Sequence, residues 1–226
     1  LCTQLAIMSQ VRVVRQGIDR GLRFGTADLP PPPPRGAGYS VLGIVASTGG
    51  PQALTQVLGG LGADFPLPIL LVQHITASFL DGFVSWLAGV TPFAVRIAEG
   101  GETPERGVIF VPPADRHLKF AGGKLHLVDS PPVHSQRPSG TVLLTSLAEE
   151  ARRGGLGVVL TGMGSDGAEG LAAMRQAGAY TIAQDESTSV VYGMPAAAVK
   201  LGAASEVLPL PRIAERLRDL ALGGGQ

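Results

Sequence analysis

The sequence predicts an α/β fold: a doubly wound, mostly parallel sheet with helices on both faces and an added antiparallel hairpin. Three observations carry that prediction. Short β-rich apolar runs alternate with helical stretches from residue 39 onward. The runs are apolar at successive rather than alternate positions, the pattern of strands covered on both faces. One stretch, Gly107 to Val128, breaks the alternation with a Gly-Gly turn.

Taken in order, the expected strands are 39–46, 68–73, 93–97, 157–160, 179–183 and 205–208. Between them, the expected helices are 51–61, 78–87, 141–153, 168–177, 194–201 and 211–220. Strands separated by helices favour right-handed crossovers and a parallel sheet. In the irregular stretch, 108–111 and 124–128 are read as the two arms of a hairpin joined through Ala114 to Gly123. Before residue 39 the pattern changes. Pro30 to Pro34 are five consecutive prolines, which lack backbone donors and favour an extended spacer. Ahead of them, Leu1, Leu5, Met8 and Val11 have helical spacing that ends near Gly17. Residues 1–38 therefore read as a linker helix with a Pro-rich linker, and residues 39–226 as one catalytic-sized domain.

Composition narrows the functional classes. Eighteen basic and eighteen acidic side chains leave a net charge of zero, so no global field recruits nucleic acid or anionic lipid. Cys2 is the single cysteine of the sequence, which offers no disulfide framework and fits a reducing, cytoplasmic setting. No apolar stretch approaches the roughly 18 residues of a membrane span. Leu1 starts the chain without initiator Met or a signal pattern, so it reads as a piece of a longer protein.

Three strings then supply chemistry. Ser47 follows the strand SVLGIVA and precedes Thr48-Gly49-Gly50-Pro51 at a helix start, where unpaired amides lie beside a nucleophile. His74 ends the run PILLVQ, at the same carboxyl edge of the sheet. Asp166 sits in GMGSDG after GVVLT, placed to orient an imidazole. His126 in the alternating KLHLV is expected to face solvent, His134 lies in a loop, and His117 borders the site without being fixed beside Ser47. Two other classes remain open on these residues. Gly162, Gly164 and Gly167 match G-x-G-x-x-G, with Asp185 about 20 residues on, as in a dinucleotide-binding α/β domain. Alternatively, all three strings are turn chemistry in an interaction scaffold.

GIVASTGGPQAL, LLVQHITASF, GVIFVPPADRHLKF, RPS, VVLTGMGSDGAEGLAAMRQAGAYTIAQDE and VVYGMPAAAV resemble the catalytic domain of the chemotaxis protein-glutamate methylesterases of the CheB type. The resemblance runs from about Tyr39 to the end of the sheet and implies a cytoplasmic serine hydrolase. Such an enzyme demethylates glutamate methyl esters on the cytoplasmic domains of methyl-accepting chemoreceptors, releases methanol and deamidates receptor glutamines. By position the resemblance implies Ser47 as nucleophile, His74 as base and Asp166 as orienter. The same resemblance implies that Thr48 and Met163 flank the site, with the Met163 amide as a candidate oxyanion donor. No metal or organic cofactor is implied, and neither nucleic acid nor membrane insertion is expected. The resemblance also implies a phosphorylatable receiver domain as partner, of which residues 1–38 match only the end of the connection. After Arg137-Pro138-Ser139 the family has an acidic residue two positions on. This chain has Gly140-Thr141, with Thr141 expected to cap its own helix.

Overall fold

The computed structural model describes residues 38–223. The expected linker helix and proline spacer lie outside the described residues. Strand β1 (Val41–Ala46) leads to α1 (Gly50–Leu61), β2 (Ile69–Gln73), α2 (Ala77–Val90), β3 (Ala94–Ile97) and β4 (Val108–Val111). There follow β5 (His117–Ala121), β6 (Lys124–Val128), α3 (Gly140–Glu150), a 3-10 turn (Arg152–Gly154) and β7 (Gly155–Val159). The chain continues through α4 (Ala168–Gln176), β8 (Tyr180–Gln184), α5 (Met194–Lys200), β9 (Glu206–Leu208) and α6 (Leu210–Leu222).

Seven strands form one sheet in the order β3-β4-β2-β1-β7-β8-β9, every neighbouring pair parallel. Side chains of β1 alternate between two cores because successive Cβ atoms point to opposite faces. Leu42, Ile44 and Ala46 pack with α1, α2 and α6, including Leu54, Phe83 and Ile213. Val41 and Val45 pack with α3, α4 and α5, including Leu144, Leu171 and Met194. This is the doubly wound, three-layer arrangement that runs of uninterrupted apolar residues require.

The hairpin assignment needs correction. Val108–Val111 is not a hairpin arm; it lies inside the parallel sheet between β3 and β2. The antiparallel pair is β5 with β6, in register from His117↔Val128 to Ala121↔Lys124. Gly122 and Gly123 turn between them at φ 57° and 72°, the left-handed conformation a two-residue hairpin loop demands. A four-residue apolar run has no period of its own, so its partners are chosen by distant strands.

Strand β1 is also the topological switch point. Connections from it run to β2 on one side, while β7 flanks it on the other, and the loops after β1 and β7 leave toward opposite faces. In open α/β sheets such a switch point, at the carboxyl ends of the strands, is where ligands bind.

Candidate active site

Residues at the end of β1 and β2 are held by the strand register itself. Ala46 pairs with Gln73, and the His74 amide donates to the Ala46 carbonyl at 3.0 Å. Ser47 and His74 are thus the first residues past two adjacent strand ends. On the other flank the Ser47 amide donates to the Thr161 carbonyl at 3.0 Å, which ties the turn to the segment after β7. From Ser47 to Gly50 the chain makes a type II turn: the Gly50 amide donates to the Ser47 carbonyl at 2.8 Å, with Gly49 at φ 80°, ψ −5°. Pro51 then opens α1 without wasting a donor.

Asp166 lies in the loop after β7 and is 2% exposed. Its Oδ2 is 2.7 Å from His74 Nε2. The carboxylate also accepts the Ser139 hydroxyl at 2.5 Å, the Gly140 amide at 2.6 Å and the Thr141 amide at 3.0 Å. All three come from the start of α3. Burial pushes the Asp166 carboxyl up, but hydrogen bonds from His74, Ser139, Thr141 and Gly140 outweigh it and bring it to about 2. The group is therefore an anion, and His74 Nε2 must carry the proton shared with it. Its other nitrogen, Nδ1, is left as a bare lone pair. Nδ1 is buried and has no partner among the described residues. No hydrogen bond joins it to Ser47 Oγ in this structure; the two residues are neighbours by register and are not bonded through their side chains.

The approach of α3 to Asp166 depends on Gly140. A Cβ there would overlap the Val45 side chain, so only glycine lets the helix start descend onto β1. Thr141 does not cap its own helix as expected. Its buried hydroxyl accepts the Gly167 amide at 2.8 Å, tying α3 to the loop that carries Asp166. His117 is fully buried. Its Nδ1 accepts the Ser139 amide at 3.2 Å, and Nε2 lies 3.1 Å from the Pro131 carbonyl, so it supports the helix start and not Ser47. His126 is exposed, as expected. His134 stands 3.5 Å from both Ser165 Oγ and Glu169 Oε2 at the rim.

Thr48 is exposed, and the Met163 side chain is 77% exposed. Gly162 packs against Ser47, for a Cβ on it would sit 2.7 Å from Ser47 Cβ, so Met163 follows directly beside the Ser47 turn. Among the described residues, the Thr48 and Met163 amides find no acceptor. The dinucleotide reading is not favoured. Asp185 spends its carboxylate on Ser187 Oγ at 2.6 Å and on the Thr188 amide at 3.0 Å and hydroxyl at 2.5 Å. Gly162 faces Met194, where close approach of a pyrophosphate would be needed. No group of three or more His, Cys, Asp or Glu suited to a metal ion occurs among the described residues.

Residues 42–217 match the family model of the CheB methylesterase. The chain belongs to the CheB methylesterase family. Among its curated relatives, a Paramagnetospirillum magneticum protein named protein-glutamate methylesterase/protein-glutamine glutaminase 2 is 65% identical over 226 residues, which is 99% of this chain and 64% of that protein. A Burkholderia lata protein named protein-glutamate methylesterase/protein-glutamine glutaminase 1 is 50% identical over 188 residues, 83% of this chain and 56% of that protein. The chain thus spans less than two thirds of the length of these relatives. The crystal structure of the Thermotoga maritima CheB methylesterase catalytic domain superposes with a TM-score of 0.77 at 34% identity, covering 80% of this chain and 98% of that one. The family's fold, a parallel sheet between helices with a small antiparallel pair, is the fold observed.

Sequence reasoning missed Ser139, Gly140 and Gln73 as parts of the site. Their roles rest on contacts between residues about two dozen positions apart, as from Ser139 to Asp166 or Gln73 to Ser47, and no local pattern signals these.

Proposed function

We propose that residues 39–226 form a protein-glutamate methylesterase that also deamidates glutamine, acting on the cytoplasmic domain of a methyl-accepting chemoreceptor. In this reading residues 1–38 are a connecting linker, toward a phosphorylatable receiver domain, and the protein works in the cytoplasm. No described helix is long and apolar enough to cross a membrane. The observation that carries the activity is the buried His74 imidazole, bonded to anionic Asp166 through Nε2 and presenting a free Nδ1 at the strand end next to Ser47.

From that geometry the steps follow. Nδ1 takes the Ser47 proton as Oγ attacks the ester carbonyl, and Asp166 stabilises the resulting imidazolium. The amides of Thr48 and Met163 receive the oxyanion, the first at a helix start whose dipole favours negative charge. Nδ1 then returns its proton to the departing methoxide, and methanol leaves. Water, deprotonated by the same nitrogen, attacks the acyl-enzyme carbonyl; the bond to Ser47 Oγ breaks, Nδ1 returns the proton to Oγ, and glutamate leaves. A glutamine side chain follows the same course with ammonia as the leaving group.

Methanol release from a methylated receptor cytoplasmic fragment tests the proposal. The chain is expected to release methanol and Ser47→Ala to release none above background; equal release by both overturns it.

A further inference from the structure

Gln73 is the last residue of β2 and is buried, at 4% exposure. Its Nε2 donates to the Ser47 carbonyl at 3.0 Å and to the His74 carbonyl at 3.0 Å. Two carbonyl acceptors fix the orientation of the amide, since the flipped form would set oxygen against oxygen. These are the carbonyls of the proposed nucleophile and its base.

The main-chain ladder between β1 and β2 ends with the His74 amide on Ala46. Beyond it, the Gln73 side chain supplies the next rung. That rung matters because Ser47 and His74 share no side-chain hydrogen bond in this structure, so their relative placement rests on backbone. Two further features show a site shaped around the amide. A Cβ at residue 50 would overlap Gln73 Oε1 first and also crowd the Ala46 Cβ at 2.9 Å, so Gly50 leaves the amide its place. Oε1 itself is buried without a partner, which disfavours folding. An apolar side chain of the same size would avoid that orphaned oxygen but would also remove both bonds from Nε2 and leave the His74 carbonyl without its donor.

Resting on the reading of Ser47 as nucleophile and His74 as base, we infer that Gln73 is a positioning residue: its amide staples the backbones of Ser47 and His74 across the ends of β1 and β2.

The test uses a small phosphonyl fluoride, which labels an activated serine without a receptor. Gln73→Met is expected to fold with a somewhat lowered melting temperature, from the loss of its two bonds, and to label to the same stoichiometry. Its labelling rate and its kcat for methyl ester hydrolysis should fall about 10²-fold with KM little changed, the scale of a misplacement near 1 Å. Gly50→Ala crowds the amide from the other side and is expected to slow labelling similarly, with the double variant no slower than the slower single one. An unchanged labelling rate per titrated serine in Gln73→Met overturns the inference, as do additive losses in the double variant. Should Gln73→Met not fold, Gly50→Ala alone decides by the same rate: a normal rate overturns the inference. Failure of the unmutated chain to label at Ser47 removes the nucleophile reading itself, and this inference with it.

Discussion

Helices α1 and α3 both begin at the carboxyl edge of the sheet, yet they treat their first amides in opposite ways. At the start of α3, the Gly140 and Thr141 amides and the Ser139 hydroxyl all go to one buried carboxylate, Asp166. Before α1, the Thr48 amide finds no acceptor among the described residues, and Thr48 itself is exposed. A helix start offers the same donors and the same positive dipole end in each case. Where the donors are consumed internally they make a fixed anion, which holds an imidazole in one tautomer. Where they are left open they stay available to an outside anion. The site therefore divides one physical device into a spent half, which binds Asp166, and an unspent half, to which the proposed mechanism assigns the oxyanion.

Breaking the division at its chemical centre has the largest expected effect. Ser47→Ala should lower methanol release by about 10⁴-fold or more, with the circular dichroism spectrum unchanged. Asp166→Asn converts an acceptor into a group that can leave the His74 proton on Nδ1, and a loss of about 10⁴-fold in kcat is expected from the wrong tautomer. Loss of less than tenfold would return Asp166 to a turn role.

Thr48→Pro probes the unspent half. Residue 48 occupies the second position of a type II turn, where proline is favoured, and its amide makes no bond to lose. Folding should be preserved while kcat falls by about 10²- to 10³-fold, the measure of one oxyanion donor. Normal kcat in a folded Thr48→Pro would mean that the open helix start is not used.

The same division explains what the sequence makes legible. Ser47, His74 and Asp166 each follow an apolar strand, and strand ends are visible as changes of composition, so the three strings could be read in place. The central strands β1, β2, β7 and β8 were legible for the same reason, being buried at every position. Strand β4 was legible as a strand but not in its place, because VIFV gives no hint that its neighbours are β2 and β3. Thr141 looked like a cap on its own helix, since capping is local chemistry. Its actual partner, the Gly167 amide, lies 26 residues away. The spent half of the site was hidden because one helix start reaches a carboxylate on another loop, and Gly140 signals that approach only once Val45 is known to lie beneath it.

Ser139→Ala has the smallest expected effect and sharpens the spent half. It deletes one of the bonds to the Asp166 carboxylate, at 2.5 Å, and should cost about 1–2 kcal/mol at neutral pH. The carboxyl sits below its ordinary value of 3.8, at about 2, so its bonds favour the folded state in the ionised form. A group depressed on folding contributes stability that is present in full above its unfolded value and is lost as pH falls through its folded value. Urea unfolding of the unmutated chain and of Ser139→Ala should therefore differ most above about pH 5, with the difference closing between about pH 4 and about pH 2. A difference that stays constant across that range would show that the hydroxyl serves packing and not the anion. The bond would then belong to the fold of α3 alone, and the orienting carboxylate would owe its charge to the Gly140 and Thr141 amides and His74.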